Sequence, residues 1–156
     1  MIFCECNTDQ FIIEQSGIRL KQIDHSGCKS RVITSVGKAS GKVLGMIDED
    51  PGCSFPKEMK KYSRIKTISD LELLIRQGDQ DKKIIQIKPR LEVWVLKRAK
   101  SMKIKPIDYG LKDHPDELHG INPYKDSRYR KFLVALIGSG DEEIETLKKW
   151  LTAAVS

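Results

Sequence analysis

Short apolar runs and amphipathic stretches alternate along the first third of the chain. The runs MIFCEC (residues 1–6) and KVLGMID (42–48) predict buried strands, and the weaker alternation of RLKQID (19–24) predicts a strand between them. A helix capped by Thr8 is expected after the first run, and a second helix over CKSRVITSVGKA (28–39). This order of elements is typical of an α/β sheet with parallel strands and right-handed crossovers.

The pattern changes after residue 52. Residues 53–66 are polar and basic, which predicts a loop. The stretch LELLIRQGDQDKKIIQI (71–87) favours two strands joined by a polar turn, with a helix over 71–76 as the alternative. Apolar residues then return at helical spacing after Pro89 and again after Asp126, so the C-terminal part is expected to be helical.

The composition is that of a folded domain. Hydrophobic residues make up 39% of the 156-residue chain and charged residues 32%, which is ordinary for a globular protein. No apolar run approaches the roughly 18 residues that a membrane-spanning helix needs, and the first residues lack the basic start of a signal peptide. We therefore expect one domain over residues 1–156, located in the cytoplasm, with reduced cysteines and no membrane partner.

The net charge of +6 is unevenly distributed. Residues 57–105, the basic middle, hold 15 Lys and Arg against 6 Asp and Glu, whereas residues 1–52 and 106–156 together carry an acidic excess. A solvated lysine-rich surface explains this as well as a surface that binds nucleic-acid phosphates does. On the second interpretation, the candidates for contact with nucleic acid are Lys29, Lys60, Lys61, Arg64, Lys97 and Arg98.

Three consecutive acids follow the third predicted strand, in KVLGMIDEDPG (42–52). Asp50-Pro51-Gly52 is favourable turn chemistry, so the acids can simply belong to a turn. The alternative is a cation site. Asp48 and Asp50 point the same way if the strand continues, and hard oxygen ligands suit Mg²⁺ or Mn²⁺. Glu5, near the end of the first strand, is expected at the same edge of the sheet.

This arrangement resembles the Toprim fold. The shared features are a glutamate that ends the first strand, then a helix, a strand, a helix and a strand that ends in Asp-x-Asp. The family includes primases, topoisomerases, ribosomal RNA maturases and nucleases of the OLD group. By resemblance, Glu5 is the general acid or base and Asp48 and Asp50 bind the metal. Glu92, in PRLEVWVL, is a further acid near the site.

The resemblance implies a Toprim-like (Rossmann-like) mixed sheet with a largely parallel core and a helical C-terminal part. It also implies a small nuclease, a phosphoesterase that hydrolyses DNA or RNA with Mg²⁺ or Mn²⁺ as cofactor. A partner protein such as an ATPase is a further expectation. The alternative is a non-catalytic module that binds nucleic acid or a protein on the same fold. A receiver-like signalling domain ranks last, because its acid pair would follow the first strand.

His114, His119, Cys4 and Cys6 are expected to be structural. His114 and His119 lie five residues apart, not the four that would place two metal ligands on one helix turn. Cys4 and Cys6 flank Glu5 with no second close pair, which is poor spacing for a zinc site.

Overall fold

The chain folds around one six-stranded sheet. The computed structural model describes all 156 residues. The strands are β1 Ile2–Cys4, β2 Ile23–His25, β3 Val43–Asp48, β4 Tyr62–Ile68, β5 Leu71–Arg76 and β6 Asp79–Ile87. The helices are α1 Asn7–Gln15, α2 Lys29–Lys38, α3 Leu91–Ser101, α4 Pro115–His119, α5 Ser127–Ile137 and α6 Glu142–Val155. Short 3₁₀ segments cover Leu20–Gln22, Lys57–Lys61 and Pro106–Tyr109.

The strand order across the sheet is β2-β1-β3-β6-β5-β4. Strands β2, β1, β3 and β6 are parallel to one another, whereas β5 is antiparallel to β6 and β4 is antiparallel to β5. The predicted α/β fold with a mixed sheet is therefore confirmed. Strands β1 and β3 are adjacent and parallel, so their carboxyl ends lie side by side at the same end of the sheet.

Most predicted elements are present, with differences at the less apolar positions. The stretch 71–87 forms two strands, so the helical alternative for 71–76 is wrong. The predicted loop at 53–66 is also wrong from residue 57 onward, where the chain forms a 3₁₀ segment and then most of β4. Strand β4 lies at the sheet edge and buries only Tyr62 fully, so it lacks the apolar alternation that marks a strand.

The cap of α1 also differs from the prediction. Cys6, not Thr8, is the residue before the first helical turn, and its sulfur accepts the backbone N–H of Asp9 at 3.4 Å. Asp9 returns the contact, since its carboxylate accepts the backbone N–H of Cys6 at 3.1 Å. Thr8 lies inside the helix and is buried. This reciprocal arrangement is a capping box in which a thiol replaces the usual hydroxyl.

Two hydrophobic clusters cover the sheet. The larger has 26 buried residues, among them Trp94 of α3 and Phe132 of α5. The smaller has nine, and joins α2 to the sheet and to Met59 and Tyr62. Burial on both faces explains why the central strands are nearly continuous apolar runs. None of the helices is both long and apolar enough to cross a membrane.

Gly45, in the middle of β3, sets the position of α2. A Cβ atom at this residue would lie 2.9 Å from Cγ1 of Val32 and 3.0 Å from Cγ2 of Val36. Contacts this short do not occur between packed carbons, so α2 lies closer to the sheet than any side chain at residue 45 would permit. The first turn of α2, which contains Lys29, lies at the end of the sheet where β1 and β3 end, since Lys29 contacts the Glu49 carbonyl there.

Candidate active site

Two acids join the ends of β1 and β3. Glu5 directly follows β1, and Asp48 is the last residue of β3. Oε1 of Glu5 accepts the backbone N–H of Asp48 at 2.9 Å. This hydrogen bond fixes the Glu5 carboxylate across the two strand ends, which is the juxtaposition that the sequence predicts for Glu5 and Asp48.

A third acid, Asp9, lies against the same two residues. Its Oδ2 accepts the backbone N–H groups of Glu5 and Cys6, both at 3.1 Å, and only 3% of the residue is exposed. Burial raises the pKa of Asp9 well above its ordinary value, and the neighbouring charges of Asp48 and Glu5 raise it further. Asp9 is therefore both the second member of the capping box of α1 and part of a buried carboxylate group.

The ionisation of this group is unfavourable in the folded protein. Burial raises the pKa of Asp48 to about 7, and the charges of Glu5 and Glu92 act in the same direction. The backbone N–H of Leu91 and the Lys29 ammonium oppose this rise. Burial also raises the pKa of Glu5, whereas the hydrogen bond from the Asp48 N–H and the positive charge of Lys29 lower it. The site thus disfavours the charged form of these carboxylates, because Lys29 and the nearby backbone N–H groups only partly offset the effect of burial.

Glu92 approaches Asp48 from the first turn of α3. Only 4% of Glu92 is exposed, and its Oε1 lies 3.1 Å from Nδ1 of His119 at the end of α4. Its other oxygen, Oε2, is buried and accepts no hydrogen bond. His119 was predicted to be structural from its spacing to His114. It contacts a candidate site acid that is distant in sequence, and the local sequence carries no signal of this contact.

Asp50 belongs to a turn. Strand β3 ends at Asp48, and Asp50 has a left-handed backbone with φ of 43°. The backbone N–H of Cys53 donates to the carbonyl of Asp50 at 2.9 Å, so the predicted turn is confirmed. The Cys53 thiol donates to the Asp50 carboxylate at 3.0 Å. Because the strand stops early, the parallel alignment of Asp48 and Asp50 expected from i,i+2 spacing is absent.

A cavity nevertheless brings Asp50 to Glu5. This acid-site cavity has a volume of about 230 Å³, and Glu5, Asp50 and Lys29 line it. The Nζ of Lys29 donates to the carbonyl of Glu49 at 2.6 Å, which holds the ammonium beside the acids. Among the predicted nucleic-acid contacts, Lys29 is the one that the fold brings to the acid site.

The other predicted contacts lie on other elements, and most of them form ion pairs within the chain. Lys61 pairs with Glu58 and Arg64 with Glu72, each at 2.9 Å. Lys97 pairs with Asp70 at 2.6 Å, and Arg98 pairs with Asp141 at 3.3 Å and also with Glu143. Lys60 is exposed and forms no ion pair. Much of the positive charge of the basic middle is thus compensated locally, and a role of these residues with nucleic acid stays a prediction.

The acid site fits a hard divalent cation by its donor chemistry. Carboxylate oxygens are the ligands that Mg²⁺ and Mn²⁺ prefer, and Glu92, whose charge acts on Asp48, has a buried Oε2 that accepts no hydrogen bond. No three His, Cys, Asp or Glu side chains converge in an arrangement that would by itself hold a metal ion. A cation here would therefore need a shift of side chains or oxygens from a substrate to complete its shell.

Compared with protein-family models, with curated proteins and with solved structures, the chain matches none of them.

Proposed function

We propose that the chain is a Toprim-like, divalent-metal-dependent phosphoesterase that hydrolyses phosphodiester bonds in DNA or RNA. The observation that carries this proposal is the link between Glu5 and Asp48 across the ends of two parallel strands. Acids that repel one another in a buried site are stabilised by a cation, and the Toprim resemblance assigns such a cation to these positions.

Glu5 is the residue that moves the proton. Its Oε1 is held by the Asp48 N–H, which leaves Oε2 to accept a proton from the attacking water. The water oxygen bonds to phosphorus as the bond from phosphorus to the leaving sugar oxygen breaks, and the proton passes to that oxygen. A raised pKa brings a carboxyl group closer to the value that suits proton transfer near neutral pH.

Asp48, Asp50 and Glu92 would hold the metal. A bound Mg²⁺ or Mn²⁺ supplies polarisation of the phosphoryl oxygens and shields their charge. Lys29 contributes a positive charge at the acid-site cavity, where it orients a phosphate relative to Glu5.

Cleavage of labelled nucleic acids in the presence of Mn²⁺ tests the proposal. Single- and double-stranded DNA and RNA are incubated with the wild type, Glu5→Gln and Asp48→Asn, with the exposed-acid variant Glu142→Gln as a matched control. We expect cleavage of at least one substrate by the wild type and the control, and a loss of roughly 10²-fold or more in the two site variants. Wild-type activity in Glu5→Gln, or no cleavage of any substrate, would contradict the proposal.

Calorimetry with Mn²⁺ alone separates metal binding from catalysis. Asp48→Asn is expected to remove binding, whereas Asp50→Asn is expected to weaken it less, because Asp50 already bonds the Cys53 thiol in a turn. Equal binding by the wild type and both variants would exclude this site as the metal centre.

A second candidate function is that of a binding module, and one surface favours it. A cavity of about 480 Å³ shares no lining residue with the acid-site cavity and combines apolar Leu96, Ile104 and Ile107 with Lys100, Lys103 and Lys105. These three lysines form no ion pair and are exposed, so they suit an acidic partner protein such as the proposed ATPase. A steep fall of affinity with salt for nucleic acid, without cleavage, would favour the nucleic-acid version of this function.

A further inference from the structure

A second polar cavity adjoins the acid site. It has a volume of about 320 Å³ and is lined by no hydrophobic residue. Its lining consists of Asp24, Ser26, Ser30, Arg31, Thr34 and Ser35. Ser30, in the first turn of α2, lines both this hydroxyl cavity and the acid-site cavity, so the two open on either side of the same helical turn.

Arg31 is the one cationic side chain of the hydroxyl cavity, and it is free. It is exposed, forms no ion pair and donates no side-chain hydrogen bond within the chain. The nearby Asp24 carboxylate accepts the Ser26 hydroxyl at 2.9 Å instead. This state contrasts with Arg64 and Arg98, which pair with acids. A free guanidinium offers five donors in a planar fork that matches a phosphate group.

The surroundings of Arg31 leave room for an anion and supply further donors. The backbone passes under the guanidinium at Gly27, where the position of an added Cβ is 3.9 Å from the nearest guanidinium nitrogen. Gly27 has φ of 88°, a conformation that a side chain would disfavour. The hydroxyl of Ser35 forms no hydrogen bond within the chain, whereas that of Thr34 donates to the Ser30 carbonyl. Arg31 and Ser35 thus line one cavity with side-chain donors that form no hydrogen bond within the chain.

Lys29 and Arg31 serve opposite sides of the turn. Lys29 faces the acids through its contact with the Glu49 carbonyl, and Arg31 faces the hydroxyl cavity. We infer that Arg31 and Ser35 bind a phosphate of the nucleic acid that neighbours the phosphate cleaved at the acid site. The inference rests on the proposed function, and it makes the substrate a polymer that runs along the first turn of α2 rather than an isolated phosphodiester.

The test compares a polymer with a single phosphodiester in the presence of Mn²⁺. The values of kcat/KM are measured for a cleaved oligonucleotide and for bis(p-nitrophenyl) phosphate, and their ratio is formed for each variant. In Arg31→Ser this ratio is expected to fall about tenfold or more, because a charge-assisted contact to one phosphate is lost. The ratio for Arg31→Lys, which keeps the positive charge but loses the planar guanidinium, is expected to lie between those of Arg31→Ser and the wild type.

Arg19→Ser is the matched control. Arg19 is also exposed and forms no ion pair, but it precedes β2 and so lies at the opposite end of that strand from the hydroxyl cavity. Its ratio should equal that of the wild type. An Arg31→Ser ratio equal to that of Arg19→Ser would overturn the inference while leaving the proposed function standing.

Failure of the proposed function gives a different result, since the wild type then cleaves neither substrate. In that case oligonucleotide binding is measured by fluorescence anisotropy in EDTA as a function of salt. A loss of affinity of about tenfold in Arg31→Ser, with a salt slope reduced by about 1 relative to Arg19→Ser, would still support the phosphate site. Equal affinities and slopes for the two variants would overturn it.

Discussion

The acid site and the basic middle differ in how far their charged side chains form ion pairs. In the basic middle, Arg64 and Lys88 share Glu72, and Arg98 lies between two buried acids. In the acid site, several carboxylates converge with Lys29 as the main opposing charge. The excess of basic residues along the sequence therefore includes side chains that pair with acids elsewhere in the chain, such as Asp141 and Glu143. Glu5 and Asp48 form no such ion pair, and the proposed function places its chemistry there.

Arg98→Met should give the largest effect, because it breaks the compensation in the basic middle. The Arg98 side chain is 15% exposed and its partners Asp141 and Glu143 are 3% exposed, so the substitution leaves two buried acids without a cationic partner. We expect the free energy of unfolding to fall by about 3–5 kcal/mol, measured by urea denaturation. Lys100→Met, on the same helix but exposed and unpaired, should change it little. Equal effects of the two variants would mean that the buried pairs contribute nothing.

Asp48→Asn, in contrast, should increase the stability of the metal-free protein above neutral pH. The pKa of Asp48 is about 7 in the fold, above the roughly 3.9 of an unfolded chain. A raised pKa means that its contribution to stability is full below about pH 4 and is lost as the pH rises through about 7. At pH 8 in EDTA, Asp48→Asn is therefore expected to melt a few degrees above the wild type, and the difference should shrink towards pH 5.

Thermal denaturation with and without Mn²⁺ checks this expectation. Mn²⁺ should raise the Tm of the wild type and not that of Asp48→Asn, while the exposed-acid variant Asp108→Asn should follow the wild type throughout. A lower Tm for Asp48→Asn at pH 8 in EDTA would show that the ionised carboxylate is well accommodated without a cation.

The smallest effect should come from the exposed lysines of the basic middle. Lys97 pairs with Asp70 at the surface, and such a pair contributes at most about 1 kcal/mol to stability. Lys60 is free, so Lys60→Gln should lower the salt slope of oligonucleotide binding more than Lys97→Gln does. Anisotropy titrations at several salt concentrations give the slopes. Equal slopes would mean that local pairing does not decide which lysines meet phosphates.

Strands buried on both faces could be predicted from the sequence, and the exposed edge strand β4 could not. Strands β1 and β3 are buried on both faces, so their apolar runs identify them without any further context. Strand β4 is exposed along most of its length and takes its place through hydrogen bonds to β5, which leave no trace in hydrophobicity. The start of α1 was misplaced because a cysteine sulfur, not a hydroxyl, caps it.

The same limit applies to the acid site. Glu5 and Asp48 could be placed together because the ends of neighbouring parallel strands meet at one edge. The end of β3 before Asp50 depends on a turn whose left-handed residue is an aspartate, which periodicity does not specify. The contact of Glu92 with His119 depends on the packing of α4 against α3, which arises only in the complete fold.

Gly45 controls the distance between α2 and the sheet, although the residue itself lies outside the candidate site. Both cationic groups assigned to phosphate, Lys29 and Arg31, are carried by a helix whose height above the sheet is limited by that one backbone position. Glu5 and Asp48 belong to the sheet itself. A single methyl group at residue 45 would therefore push α2, with Lys29 and Arg31, away from the strands that lead to Glu5 and Asp48. Under the proposed function, such a change alters how a phosphate meets the two acids without any substitution among the site residues.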